Sequence, residues 1–596
     1  MKFPDMSITM DKEYGPTLEV SKDIHKMKYR GKGESFRDAM TRVADALKDD
    51  KTHYETLREV LLDMRFLPAG RVQSAIGSPR QVTAFNCFVS KDFEDTMQSI
   101  MDVAAEAAET MRLGGGIGYD FSTLRPRGAL IRSLDTRSSG PIAFMDIFDA
   151  LCKCIASAGH RRGAQMGVLR VDHPDIEEFI RVKANKDKLT QFNISVGITD
   201  EFMRAVLENK PFNLVFNGEV YKTISAKALW NEILRYTWDW AEPGVLFLDT
   251  INKKNNLWYC EAISATNPCG EQPLPPYGAC LLGSMNLTKY VKHAEGDYGL
   301  TGRYFDNEQF VKDIPTIVRA MDNVVDTTVY PLLEQEMEAK NKRRMGLGLT
   351  GVANAGEALG LRYGSEEFLS WLEVLMRTYR NTVYQASIDL AKEKGPFPLF
   401  DADLYLQSGF AQTLPKYIRD GIKKYGIRNS HLLSIAPTGT ISLSADNISS
   451  GIEPVFSHSY DRTIQTFEGV KTETVTDYGW RVFGVKGKTA DETPVSEHVK
   501  VLNLASKYVD SACSKTCNVG DDVTWEDFKQ VYMDAWLGGA SGCTTFRLSG
   551  KRFGILNASA VEDVAVEEVV EDDFVNETEG GACYYDPTTG IRTCDN

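Results

Sequence analysis

Short apolar runs alternate with amphipathic stretches along most of this chain, and that alternation restricts its fold more than any other feature. Candidate strands stand at 88–89, 117–121, 193–196, 213–216, 281–286, 432–436 and 543–546. Between them the apolar spacing predicts helices over 95–112, 141–158, 200–208, 226–241, 307–328, 365–394 and 524–538. Strands separated by helices bury their faces most simply in a parallel sheet, so the expected class is α/β. Ahead of this region, Phe36, Met40, Val43, Ala44 and Leu47, then Tyr54, Leu57, Val60, Leu61 and Met64, recur at helical spacing. They predict two amphipathic helices, the second stopped by Leu67-Pro68-Ala69-Gly70. Residues 457–523 are less regular and rich in Thr, Asp and Lys, and read as an insertion.

Charge narrows the function classes. Of the formal −15, residues 553–596 carry eleven acids and one base, which leaves −5 for the preceding 552 residues. Such a body offers no basic groove for nucleic acid, so phosphates are expected only at local sites. The acidic run at 561–579, followed by Gly580 and Gly581, reads as a flexible tail. No apolar run approaches the ~18 residues of a membrane span. The start of the chain lacks a signal-peptide layout, so a cytoplasmic setting is expected. There, the eleven cysteines point to redox or catalytic thiols rather than a disulfide scaffold. The eight histidines are scattered, with no zinc-ligand spacing, and no metal site is expected.

Asn267-Pro268-Cys269-Gly270-Glu271 is the sharpest local feature. Pro268 restricts and Gly270 frees the backbone on either side of one thiol, and in an extended loop the amide, thiol and carboxylate share a face. A thiol between a hydrogen-bonding amide and a base suits chemistry on a hydroxylated substrate. A buried structural cysteine in a turn accounts for the pentapeptide equally well. Cys87 and Cys280 each open a strand-like run, and taken alone each fits a packed core. Pro437-Thr438-Gly439-Thr440-Ile441-Ser442 follows an apolar run with hydroxyls and a glycine, a composition that suits phosphate binding.

Taken in order, these segments resemble the catalytic subunit of ribonucleotide reductase. The likeness extends to Arg161-Arg162-Gly163-Ala164-Gln165-Met166-Gly167 and Arg343-Arg344-Met345-Gly346-Leu347-Gly348, and runs from about Tyr29 to Ile555. The resemblance implies a mainly helical segment over 1–85, a ten-stranded α/β barrel with a central finger loop over 86–555, and a redox tail over 556–596. It implies that Cys269 becomes a thiyl radical, that Glu271 acts as base and Asn267 holds the ribose, and that Cys87 and Cys280 end as a disulfide. Pro437, Thr438, Gly439, Thr440 and Ser442 would bind the substrate phosphates. Asp95 and Arg125 would contact a deoxynucleotide or ATP effector, and residues 184–192 would report it to the substrate site. Asp95 fits an N-cap of the 95–112 helix equally well. The stretch before Tyr29 is shorter than the family's ATP-binding module, so no overall ATP/dATP switch is expected.

The source of the radical is read from the last strand. Gly542-Cys543-Thr544-Thr545-Phe546-Arg547 lacks the adjacent tyrosines that pass a radical in from a separate metal-containing subunit. It resembles instead the adenosylcobalamin-dependent group. A chain served by a radical-generating partner is the alternative, and an inactive nucleotide-binding regulator a more remote one. Near the end, ten residues separate Cys583 from Cys594, more than in the family's usual pair. A turn at Asp586-Pro587-Thr588-Thr589-Gly590 would bring them together as the shuttle that thioredoxin or glutaredoxin recharges. A homodimer is a possible assembly.

Overall fold

Helices form where apolar periodicity and end-capping agree. The computed structural model describes residues 14–157, 161–162, 164–294, 301–466, 469–547, 583–585 and 592–594. The helix Phe36–Leu47 starts on a capping box in which the Ser35 and Asp38 side chains satisfy each other's backbone N–H groups. The helix Lys51–Leu62 starts on the Asp50 carboxylate. Each such cap is worth about 1 kcal/mol. One further helix, Glu19–Tyr29, precedes these two. The second helix ends at Leu62, just ahead of Met64 at φ 53°, rather than at the Pro-Gly pair. Leu67 and Pro68 belong instead to strand β1, Phe66–Pro68.

Five strands then run parallel: β2 (Cys87–Val89), β3 (Gly116–Asp120), β4 (Gln165–Arg170), β5 (Phe192–Ile198) and β6 (Gly244–Phe247). The helices Met97–Arg112, Pro141–Cys154, Asp200–Leu207 and Ala226–Trp240 fall among them as the periodicity predicts. A two-strand hairpin follows, β7 (Ala265–Thr266) with β8 (Pro273–Leu274). Next come β9 (Ala279–Cys280), β10 (Leu282–Asn286) and β11 (Gly346–Thr350). The helix Asn307–Thr327 lies between β10 and β11 and runs through Pro315. A proline there costs about 3 kcal/mol, which the buried face of Phe310, Ile317, Val318, Met321 and Val324 offsets.

The interval 457–523, expected as an insertion, contains a hairpin of β12 (Ser459–Thr466) and β13 (Gly469–Thr476). It also contains the helix Val495–Lys507 and β14 (Thr516–Asn518), a strand of the main sheet. After β15 (Gly542–Phe546), β16 (Cys583–Tyr585) and β17 (Arg592–Cys594) form an antiparallel pair. The acidic run lies outside the described residues.

Among the described residues the main sheet has eight strands in the order β9-β2-β3-β4-β5-β6-β15-β14, and a second has β1-β10-β11. Only two neighbours in the larger sheet are antiparallel, β9 with β2 and β6 with β15. Only Leu281 separates β9 from β10, so the chain passes directly from one sheet into the other. At the opposite edge, parallel bridges Leu347↔Leu433 and Ile435↔Cys513 connect β11, through 432–436, to the segment leading into β14. Residues 432–436 make these bridges rather than a full strand, and the N–H groups of Leu432 and Leu433 go to the Asp510 carboxylate. Residues 213–216 are a strand as expected, but they pair with Glu219–Ser225 in a separate hairpin outside the main sheet. One continuous apolar core extends from Tyr29 to Cys543. Among the described residues no helix is long and apolar enough to cross a membrane.

Candidate active site

The tip of the β7–β8 hairpin carries residues 267–272. It closes on itself: Asn267 N–H donates to Gln272 O (3.1 Å), Gly270 N–H to Asn267 O (3.1 Å) and Gln272 N–H to Asn267 Oδ1 (2.9 Å). Gly270 supplies φ +80°, which a side chain would resist. The tip is held from two sides. Asn193 Nδ2, on β5, donates to Pro268 O (3.0 Å), while Ala512 N–H (3.1 Å) and Ser434 Oγ (2.9 Å) donate to Glu271 O. Glycines on the flanking strands make room. A Cβ on Gly118 of β3 would collide with Thr266 O, and one on Gly346 of β11 with the Gln272 amide.

This seating gathers the residues picked from sequence. Cys87 and Cys280 are directly opposed across the antiparallel β2/β9 pair. Opposed residues have Cα atoms about 4.5–5.5 Å apart, inside the span that a disulfide bridges. Asn267 Nδ2 donates to Cys87 Sγ at 3.1 Å, and Cys87 Sγ lies 3.8 Å from Glu271 Oε1. Cys269, Asn267, Glu271, Cys87 and Cys280 are all at most 4% exposed. Burial pushes the Cys87 thiol well above its ordinary range, and Glu271, Cys280 and Cys269 add to the effect. Cys280 is likewise raised by burial, with Arg344 as the largest opposing influence. Both groups are therefore neutral thiols near pH 7, able to give hydrogen rather than act as standing thiolates.

A buried charged layer adjoins the thiols, and sequence reasoning assigned it no role. Arg344 Nη2 donates to both Glu261 oxygens (2.7 and 2.8 Å), and Lys342 Nζ donates to Glu261 Oε2 (2.8 Å). Burial opposes the Glu261 charge, yet Arg344 and Lys342 hold its carboxyl down to about 2. Asp510 accepts from Tyr384 OH (2.7 Å) and from the N–H groups of Leu432 and Leu433, yet burial pushes it up to about 6. The one sequence signal was the Arg343-Arg344 pair just ahead of the alternating glycines of β11.

The Pro437–Ser442 turn sits at the start of the helix Gly439–Ser444, with Thr438 left-handed at φ 53°. The hydroxyls of Thr438 and Ser442 bond each other (3.0 Å), and both bond Thr350 of β11 (3.0 Å each). Gly451 N–H donates to Thr438 Oγ1 (2.8 Å). The turn is thus tied to the strand beside the thiols, a part for Thr350 that the sequence did not reveal.

Asp95 and Arg125 meet: Arg125 Nε and N–H donate to the Asp95 carboxylate at 2.6 and 3.1 Å. Asp95 is not the helix cap, because Thr96 accepts from Ser99 N–H and the helix starts at Met97. In the 184–192 loop, Gln191 N–H donates to Asp149 and Lys188 pairs with Asp146, both on the Pro141–Cys154 helix. Cys583 and Cys594 are directly opposed in the β16/β17 ladder, and the β17 backbone comes within 8 Å of the Gly439–Ser444 helix. The intervening turn at Asp586 to Gly590 lies outside the described residues.

The chain is similar to known proteins over most of its length. Residues 85–478 and 470–546 match the family described as ribonucleotide reductase, barrel domain. The chain is 34% identical over 562 residues to a vitamin B12-dependent ribonucleoside-diphosphate reductase of Mycobacterium tuberculosis, covering 89% of this chain and 77% of that one. It is 33% identical to the protein of the same name from Thermoplasma acidophilum, covering 87% and 68%. A vitamin B12-dependent ribonucleotide reductase of Streptomyces coelicolor is 27% identical, covering 83% and 60%.

Proposed function

The chain belongs to the ribonucleotide reductase family, and on that premise we propose that it reduces ribonucleoside diphosphates to 2′-deoxyribonucleotides by thiyl-radical chemistry supported by adenosylcobalamin. The observation that carries this reading is the meeting of an opposed thiol pair, Cys87 and Cys280, with a hairpin tip bearing Asn267, Cys269 and Glu271. The diphosphate assignment rests on the names of the mycobacterial and Thermoplasma relatives. We read the two sheets as halves of one ten-stranded barrel around the finger loop. The continuous chain at Leu281 and the bridges at Leu433 and Ile435 support that closure.

In this reading Cys269, as a thiyl radical, takes the 3′-hydrogen of the ribose. Glu271 accepts the 3′-hydroxyl proton, and Asn267 holds the sugar by hydrogen bonding. The 2′-hydroxyl leaves as water, and Cys87 and Cys280 together supply two hydrogens and two electrons, ending as a disulfide. The 3′-hydrogen returns from Cys269, which is a radical again. Overall, ribonucleotide and two thiols give deoxyribonucleotide, disulfide and water. The high thiol pKa values suit this task, since protonated sulfur holds the hydrogen that must be delivered. Deep burial keeps water and oxidants from the radical. Pro437, Thr438, Gly439, Thr440 and Ser442 would hold the phosphates, chiefly through the N–H groups at the start of the 439–444 helix.

The residues present fit the cofactor. Asn193, Ser195, Gly244 and Thr544 lie on the β5–β6–β15 face turned toward the tip, and a Cβ at Gly270, beside Cys269, would meet only open space. These small residues would border a bulky planar group, whose homolysed carbon–cobalt bond supplies the radical when it is bound. Thr544 and Thr545 stand where a tyrosine pair would serve a partner subunit. Asp95 and Arg125 would belong to an effector site, and Cys583 with Cys594 to the shuttle that a thioredoxin-like dithiol recharges. One turnover in the absence of reductant, followed by peptide mapping, tests the assignment. In the chain carrying Cys583→Ser and Cys594→Ser, where no shuttle thiol can take the disulfide on, it should yield one deoxynucleotide per chain and a Cys87–Cys280 disulfide; product without that disulfide would refute the thiol roles.

A further inference from the structure

We propose that Arg344 makes reopening of the Cys87–Cys280 disulfide directional: the incoming thiol bonds to Cys87, and Cys280 departs as a thiolate held by the Arg344 guanidinium. The inference rests on the reading of this pair as the reducing dithiol. Strand register supplies the first observation. Leu282 pairs with Gly346 in the parallel β10/β11 ladder, and Gly346 N–H donates to Leu281 O at 2.7 Å. Arg344 and Cys280 each lie two residues ahead of that pairing and interact electrostatically, while Cys87 flanks Cys280 from β2. The second observation is unused hydrogen-bonding capacity. Arg344 is 1% exposed, and among the described residues its Nε and Nη1 meet no hydrogen-bond partner. A buried guanidinium with idle donors is suited to an anion that exists only transiently.

The surroundings of the two sulfurs differ in the required sense. Cys87 faces Glu271 at 3.8 Å, a carboxylate that opposes negative charge there, against one neutral hydrogen bond from Asn267. Cys280 faces Arg344 ahead of β11, Glu271 on the hairpin tip, Asp510 ahead of β14 and Glu338 on the helix Leu333–Lys342. Of these Arg344 is the cation and has the largest effect after burial. Burial drives both Asp510 and Glu338 toward their neutral forms, and the ionised Glu261 carboxylate, which Lys342 shares, engages Arg344 through Nη2 and leaves Nε and Nη1 uncommitted. Access favours the same order, since Cys87 is the sulfur in contact with Asn267 and Glu271, where the ribose would lie. In the exchange a thiolate forms a bond to Cys87 Sγ, the Cys87–Cys280 bond breaks, and its electron pair stays on Cys280 Sγ.

The full-length chain carrying Cys583→Ser and Cys594→Ser, which has no shuttle thiol to take the disulfide on, is oxidised by one turnover and mapped to verify the Cys87–Cys280 disulfide. It is then exposed briefly to limiting glutathione, quenched in acid, alkylated with N-ethylmaleimide and mapped again. Glutathione should be found on Cys87 and the maleimide on Cys280. Opening should slow about tenfold in Arg344→Met and recover in Arg344→Lys, because a thiol of lower pKa leaves faster. Glutathione should also divide between the two sulfurs in Arg344→Met and return to Cys87 in Arg344→Lys, a pattern that a merely loosened fold would not restore. Glutathione on Cys280, or divided evenly while Arg344 is intact, would overturn the proposal even if the Met variant does not fold. Absence of the disulfide after turnover would defeat the reading of the thiol pair itself, and this proposal with it.

Discussion

Asn267, Cys269 and Glu271 share one six-residue tip, so substitutions there should separate chemistry from binding. Cys269→Ser should abolish deoxynucleotide formation while nucleotide affinity, measured by calorimetry, stays within a factor of a few. Glu271→Gln should lower kcat by about 10²–10⁴ with little change in KM, the usual cost of losing a general base. Glu261 offers a stability test. Its carboxyl is held at about 2 in the fold, below the ordinary carboxylate range of the unfolded chain. Its contribution is therefore complete above about pH 4.3 and lost as pH falls from there through about 2; a two-unit difference is about 3 kcal/mol. Urea unfolding of Glu261→Gln should show a flatter pH profile between 5 and 2.5. It should also be less stable at pH 7 by about 3 kcal/mol or more, because Arg344 is left buried without its counter-charge. An unchanged profile would mean that the pair does not control acid stability.

At the scale of elements, the hairpin tip is only as well placed as the strands that make room for it. Gly118→Ala should push Thr266 aside, costing about 1–3 kcal/mol of stability and at least about a hundredfold in kcat. A variant that loses stability but keeps kcat would show that hairpin seating does not align the thiol. Changing both Cys583 and Cys594 to Ser should end thioredoxin-driven turnover yet leave a single turnover intact; full multiple turnover would sink the shuttle. Most long helices were legible because their buried stripes repeat at helical spacing. Strands such as β11 were not: Gly346-Leu347-Gly348-Leu349-Thr350 is buried on both faces, and its glycines answer to the hairpin and the neighbouring 432–436 segment rather than to a strand pattern. Residues 213–216 were legible as a strand but not as part of a separate hairpin, since alternation does not name a partner. In the site, the Cys269 tip was conspicuous. Arg344 and Thr350 acquire their neighbours only through the register of β11, which no local pattern encodes.

Across the whole molecule, contacts from both sheets seat residues 267–272, so that Cys87, Cys280, Cys269 and Glu271 all lie away from solvent. Three widely separated stretches of sequence, around Cys87, around Cys269 to Cys280, and around Thr438, converge because each is mounted on or beside the same connected strands. Because β15 carries no paired tyrosines, the chemistry depends on where the radical originates. That origin is tested most directly by incubating the purified chain alone with adenosylcobalamin, a ribonucleoside diphosphate, an effector nucleotide and a dithiol, and quantifying deoxynucleotide. Multiple turnovers that vanish in Cys269→Ser are expected. No product until a second, metal-containing protein is added would contradict it.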